Sequence, residues 1–268
     1  MTDRHDTFAR LHRPGQPLFL PNAWDFATAA TLAQAGFAAI GTTSCGVAIA
    51  AGQPDATGAA RAETVAVAQR LAPLPVLLTV DMEAGFSDAP REVAELAAAL
   101  NDTGVVGINI EDGRPDGTLG PVDLHCAKIE AIKAAVPGLF VNARTDAFWL
   151  ADRSAPPPVD EARQRARAYA AAGADGVFIP AVADPGLVKT LAVTIDAPLN
   201  VLYLPGQHTL PELAAAGAAR VSTGSLLFRE ALRCVVDTAN AALHDTVHPH
   251  PATPTYAQVQ ALLSPAAP

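Results

Sequence analysis

Apolar residues in this chain cluster in short continuous runs rather than alternating with polar ones. A run such as Val76-Leu77-Leu78-Thr79-Val80 is what a parallel strand buried on both faces requires, because neither face meets water. Eight runs of this kind recur, at residues 18–23, 38–43, 76–82, 107–112, 140–147, 176–180, 199–204 and 220–224. Helical stretches alternate with them, at 61–72, 91–101, 126–136, 160–172, 185–194 and 210–216, with 225–243 after the last strand and a short helix at 6–11 before the first. Several helices end in Ala-Gly (Ala35-Gly36, Ala172-Gly173, Ala216-Gly217), which supplies glycine for the left-handed position that releases the chain into the next strand. The rhythm predicts an α/β fold of parallel strands, a (β/α)8 TIM-type barrel in one domain over residues 1–244, with 245–268 as a C-terminal tail or arm. The alternative is an open doubly wound sheet, which would place a glycine-rich phosphate loop after its first strand. Leu20-Pro21-Asn22-Ala23-Trp24 stands there instead. The tail carries His244, His248 and His250 among prolines, then one weak helical segment at 256–263. It reads as a solvated tail or a packing arm rather than a metal site.

Charge narrows the partners. The 268 residues include 18 basic and 27 acidic side chains, a formal net charge of −9, with no block of Lys or Arg. That balance excludes nucleic acid and an anionic membrane surface as partners. An anionic ligand must then be met by a metal or by local cations. No apolar run approaches the roughly 18 residues that span a bilayer, and the polar start Met1-Thr2-Asp3-Arg4-His5 precedes no signal-type stretch. Cys45, Cys126 and Cys234 are odd in number and widely spaced, as reduced thiols are. The expected location is cytoplasmic.

In a barrel of this type the active site is built at the carboxyl ends of the strands. Asp81 and Glu83 close the third run, and the period of two in a strand points both carboxylates the same way. Glu111 and Asp112 close the fourth, while Asn142, Arg144 and Asp146 alternate along the fifth and Asn200 sits on the seventh. Three or more carboxylates at one mouth repel unless a cation lies among them, and all-oxygen donors select Mg2+, with Mn2+ second. Asp81, Glu83 and Glu111 are therefore the candidate metal ligands. Arg144 offers a planar fork for a carboxylate or phosphate. Small residues from Gly41 to Gly46 present backbone N–H groups as an anion nest, with Asp55 on the same loop.

At these positions the sequence resembles the isocitrate lyase/phosphoenolpyruvate mutase superfamily over about residues 18–232. The resemblance rests on Thr42-Thr43-Ser44, Gln53-Pro54-Asp55, the run DMEAGF at 81–86, NIEDG at 109–113 and NARTDAF at 142–148, in that order. It implies a modified barrel that forms homodimers or homotetramers by exchanging its last helix. It also implies one Mg2+ that chelates a 2-oxo or enolate carboxylate. Carried over by the resemblance, Asp81 is the inner metal ligand, with Glu83 and Glu111 reaching the ion directly or through water. Thr42, Thr43, Ser44 and Cys45 would hold the substrate carboxylate, Arg144 and Asn200 would orient the oxo-acid, and Asp55 would stand near the reacting bond. Two departures matter. Glu83 stands where many members have Asp, and the Lys-Cys-Gly-His lid motif of the carbon–carbon lyases is replaced by Gly113-Arg114-Pro115-Asp116-Gly117-Thr118-Leu119-Gly120. His125 and Cys126 further on read as structural. The expected function is a Mg2+-dependent enzyme that makes or breaks a C–C bond of a small 2-oxo (di)carboxylate through an enolate. The alternatives are C–P chemistry on phosphonopyruvate or phosphoenolpyruvate, and a barrel that binds 2-oxo acids without turnover.

Overall fold

The computed structural model describes residues 3–152, 154–246 and 252–263. Its strand segments are β1 (Leu18–Leu20), β2 (Asn22–Ala23), β3 (Ala39–Thr42), β4 (Leu77–Asp81), β5 (Gly107–Glu111), β6 (Phe140–Arg144), β7 (Gly176–Ile179), β8 (Leu199–Leu202) and β9 (Arg220–Ser222). The helices are α1 (Arg4–Ala9), α2 (Phe26–Gln34), α3 (Ser44–Ala50), α4 (Arg61–Leu71), α5 (Pro90–Asp102), α6 (Val122–Ala135), α7 (Val159–Ala171), α8 (Pro185–Ala192), α9 (Leu210–Ala215), α10 (Leu226–Leu243) and α11 (Tyr256–Gln260). All strand pairs are parallel, in the order β1-β9-β8-β7-β6-β5-β4-β3-β2. This is the expected (β/α)8 barrel, with its first strand in two pieces.

The break falls at Pro21, which has no N–H to give to a ladder. β1 pairs with β9 and β2 with β3, so one interrupted strand joins the two ends of the sheet. Asn22 fastens the joint. Its Nδ2 donates to the Thr42 carbonyl at 2.7 Å, and its Oδ1 accepts from the Thr223 and Gly224 backbone N–H groups at 3.0 and 2.9 Å. The barrel closes across this side chain rather than through backbone pairs alone.

At the amino ends of the strands α1 forms a plug. Phe8 is fully buried with Leu20, Ala39, Val106 and Phe140, and His12 stacks on the Phe140 ring at 4.2 Å. Gly107 is required here, since a Cβ on it would lie 2.9 Å from the Phe8 ring. Helix starts follow their caps: Asp25 and Thr28 form a capping box at α2, and α6 begins at Val122, just after Pro121. His125 and Cys126 consequently lie inside α6, and His125 is buried against Tyr169 with ring centroids 4.4 Å apart.

Beyond Phe228, which meets Trp24 edge-on at 5.1 Å, α10 leaves the barrel. Leu232, Val235, Val236 and Leu243 on it are exposed. The weak helical segment of the tail appears as α11 and the 3-10 turn Ala261–Leu263. His248 and His250 lie outside the described residues. Among the described residues no helix is long and apolar enough to cross a membrane.

Candidate active site

A cavity of about 160 Å³ opens at the carboxyl ends of the strands. Thr43, Ser44, Cys45, Asp55, Asp81, Glu111 and Arg144 line it. Those seven predicted residues come from three strand ends, from the start of α3 with its N-cap Thr43, and from the loop that follows α3. Three others support the cavity from outside its wall. The Thr42 hydroxyl accepts the Asp81 N–H at 2.9 Å. Asn200, fully buried, accepts from the Ser222 hydroxyl at 3.1 Å. Glu83 is also buried, and its Oε2 accepts the Gly58 N–H at 2.9 Å.

Glu83 departs from the simple strand argument. β4 ends at Asp81, and Glu83 has φ of +49°, so period-two alternation does not reach it. The turn 81–86 is shaped instead by left-handed residues at Glu83, Gly85 and Phe86. Lys128 of α6 secures this turn by donating to the Ala84 carbonyl at 2.9 Å. Asp81 thus faces the cavity from a strand end, whereas Glu83 is turned toward the loop that carries Asp55.

Arg144 is held from four sides. Its Nη1 meets Glu111 Oε2 at 2.8 Å and its Nε donates to Asp146 Oδ1 at 2.6 Å. Its guanidinium carbon lies 5.7 Å from the ring centres of both Trp149 and Phe178, a distance at which aromatic faces attract a cation. Burial works against the charge, yet Glu111, Asp146 and Asp81 together hold the guanidinium above its ordinary pKa. Behind the site, Asp112 points away from the cavity. It accepts from Tyr169 at 2.6 Å, from Arg165 at 3.1 Å and from the Asp146 N–H at 2.8 Å. Asp112 therefore braces the β6 end rather than adding a ligand.

The carboxylates crowd one another. Burial pushes Asp81 above its ordinary value and Asp55 adds to the push, while Arg144 and the N–H groups of Glu83 and Ser44 oppose it. Burial likewise raises Glu83 to about 7, with Asp55 and Asp81 contributing. It also carries Glu111 well above the usual range against the pull of Arg144. Cys45 is raised by burial and by Asp55 beside it. Buried like charges of this kind favour either a shared proton or a cation.

Whether the set suits a divalent ion is decided by its free oxygens. Asp55 Oδ1 and Glu83 Oε1 are buried and make no hydrogen bond with the described residues, and every donor in the group is a carboxylate oxygen. Among the described residues no group of three or more His, Cys, Asp or Glu side chains is arranged to hold a metal ion. A divalent ion here would take few ligands from the chain and the rest from water and substrate, as Mg2+ commonly does.

Several residues of the site were not singled out from sequence. Asn22, Trp149, Ser222 and Ser225 all line the cavity, and only the β9 run, with its Ser-Thr-Gly-Ser sequel at 222–225, carried a polar strand-end signal that points to two of them. A fully buried Arg220 lies beneath, donating to Asn109 Oδ1 at 3.2 Å. Burial lowers it to about 9, with Asp81 opposing, so it stays charged at neutral pH.

Comparison with known proteins agrees with this fold. The sequence profile of the family described as phosphoenolpyruvate phosphomutase matches residues 8–243. An uncharacterised protein of Mycobacterium tuberculosis is 41% identical over 257 residues, 96% of each chain. The 2-methylisocitrate lyase of Bacillus subtilis is 33% identical over 203 residues, covering 72% of this chain and 64% of the lyase. The solved structure of a phosphoenolpyruvate phosphomutase from Streptomyces platensis superposes with a TM-score of 0.79 at 27% identity, covering 92% of each chain.

Proposed function

The chain belongs to the phosphoenolpyruvate phosphomutase family, whose members and relatives include mutases, lyases and decarboxylases, and from that premise we propose that it is a Mg2+-dependent enzyme that makes or breaks a C–C bond of a small 2-oxo acid through an enolate. The observation that carries the reading is the cavity itself, where the crowded carboxylates of Asp55, Asp81 and Glu111 face a fixed arginine, Asp55 with an unpartnered buried oxygen, while Glu83 behind the wall holds a second one.

In this reading Asp81 would hold the ion, with Glu83 and Glu111 reaching it directly or through water. The bound ion would supply positive charge against an enolate oxygen. Mn2+ would serve in its place. Arg144, held in place by Glu111, Asp146 and two rings, presents a fixed positive charge to the same oxygen without needing to reorganise. Thr43, Ser44 and Cys45 orient the substrate carboxylate from the turn after β3, with Thr42 keeping that turn against the Asp81 backbone. Asn200 keeps Ser222 at the cavity wall. Asp55, with Oδ1 free beside Cys45, is placed to take or return a proton at the reacting carbon.

The lid segment is a hairpin pinned by an antiparallel bridge between Gly113 and Leu119 and by the Gly120 N–H on the Asp112 carbonyl at 2.7 Å. With one Arg and no Lys in 113–120, it offers little to a phosphonate dianion. This favours C–C over C–P chemistry. The exposed apolar stripe of α10 supports a homodimer or homotetramer in which that helix packs on a neighbouring barrel. The three free cysteines suit a cytoplasmic setting.

Thermal unfolding with Mg2+ and either oxalate or a panel of 2-oxo acids tests the reading, because a ligand that binds only the folded state raises the melting temperature by mass action. A rise that needs both metal and acid is expected, and NMR of the binding acids should show C–C cleavage or formation. No metal-dependent rise with any acid would overturn the proposal. Binding without product would leave a 2-oxo acid binder in place of an enzyme of this reaction.

A further inference from the structure

Beside the polar cavity lies a larger space of about 870 Å³, and Trp149 is a wall of both. Its other walls come from the loops after β6, β7 and β8 and from the first turn of α8, among them Phe148, Ala181, Ala183, Leu187 and Leu204. Pro180 and Leu202 line the polar cavity, while Ala181 and Leu204, next along the same loops, line the larger space. The two spaces therefore adjoin along one side of the barrel mouth.

The character of the wall changes across Trp149. On one side stand Arg144, Asp81 and Glu111. On the other, the charged residues among the described lining are Asp152 and Asp184, with no Lys or Arg. The Asp184 carboxylate is occupied at the start of α8, where it accepts the Gly186 N–H at 2.8 Å. The described part of this wall supplies no cation for a second carboxylate or a phosphate. The wall gains from covering apolar surface, including Trp149, which is 54% exposed.

Resting on the 2-oxo acid reading above, we propose that the larger space is a substrate subsite for an apolar alkyl or aryl substituent on the reacting carbon. The polar cavity, at about 160 Å³, takes the compact oxo-acid head. A substituent on its reacting carbon leaves past Trp149 into the apolar space. The enzyme accordingly prefers 2-oxo acids extended by such a group over unextended ones.

N-alkyl oxamates test this without turnover, because their planar head stands for the enolate and their alkyl chain for the substituent. Isothermal titration of the full chain with Mg2+ is expected to show affinity rising about threefold per methylene from oxamate to N-hexyloxamate. Ala183→Trp fills the larger space without touching the head. It should erase the gain for long chains and leave the oxamate affinity within about twofold, which also shows that the variant is folded. If oxamate binds but affinity stays flat or falls with chain length, the subsite is overturned while the reading of the head stands. A gain that survives in the Ala183→Trp variant places the chain elsewhere and overturns it too. If neither oxamate, oxalate nor any 2-oxo acid binds with Mg2+, both readings fall together.

Discussion

At the scale of single residues, the Asp81 carboxyl receives N–H groups from Ser44 and Glu83 and feels the Arg144 charge, yet burial and Asp55 still push its pKa up. Its ionised form is thus held at a cost that a bound cation would remove. Asp81→Asn keeps the shape and drops the charge. The variant is expected to melt no lower than the parent without ligand and to lose the melting rise caused by Mg2+ with oxalate; a retained rise would remove Asp81 from the metal. His12 gives a test of a different sort. Burial, with Arg220 nearby, lowers its pKa from 6.5 to about 3. Above pH 6.5 both folded and unfolded chains hold it neutral. Between 6.5 and 3 only the unfolded chain takes the proton, so the folded state loses stability as pH falls, by up to about 1.4 kcal/mol per unit. His12→Phe removes that loss. In urea melts from pH 7 to pH 4.5, the variant's stability relative to the parent should climb steadily as the pH drops, and a flat difference would contradict the assignment. Asp81, Glu111 and Arg144 were readable from sequence because strand ends place side chains predictably. Glu83 was readable as to residue but not direction. Its left-handed φ is a property of the turn, set by Gly85 and Lys128, that alternation does not encode.

At the scale of elements, strands were the most legible part, because strands buried on both faces have no polar side to interrupt them. Each predicted run contains an observed strand, shortened by one to three residues in most cases where the carboxyl end turns into the site loop. α3 was hidden. It is seven residues long, lacks a side-chain cap and is made of small residues, so the stretch read as an open nest. In the structure its Ser44 N–H serves Asp81 instead. α6 was placed four residues late because its first turn has no apolar periodicity, only a proline before it. The split of the first strand was equally invisible, since Pro21 alone does not say that the two halves pair with different neighbours. Asn22 carries that joint. Asn22→Ala would strand the Thr42 carbonyl and the Gly224 N–H, while the Thr223 N–H keeps the Leu20 carbonyl at 3.2 Å, at a cost of roughly 3 kcal/mol in unfolding free energy. Chemical denaturation measures it, and a loss below about 1 kcal/mol would mean that water replaces the side chain.

At the scale of the whole molecule, α10 carries an apolar stripe at Leu232, Val235, Val236, Ala239 and Leu243, the spacing of one helix face. With Val235 66% and Val236 58% exposed, it is an apolar face of the kind that marks an interaction surface. Light scattering of the parent is expected to give a dimer or tetramer, and Val235→Asp combined with Val236→Asp a monomer. A monomeric parent would remove the helix-exchange proposal. From its residues alone 225–243 read only as a helix, because a pattern of apolar positions does not say whether the covering surface belongs to the same chain; the exchange of that helix came from the family resemblance. The split strand has one more consequence, for biosynthesis. β1 leaves the ribosome early, but its partner β9 follows about 200 residues later. The growing chain must carry an open half-ring with a bare strand edge through most of its synthesis. Ring closure is then the last event of folding, gated by emergence of residues 220–224, and an arrested chain ending before them would expose that edge to other chains.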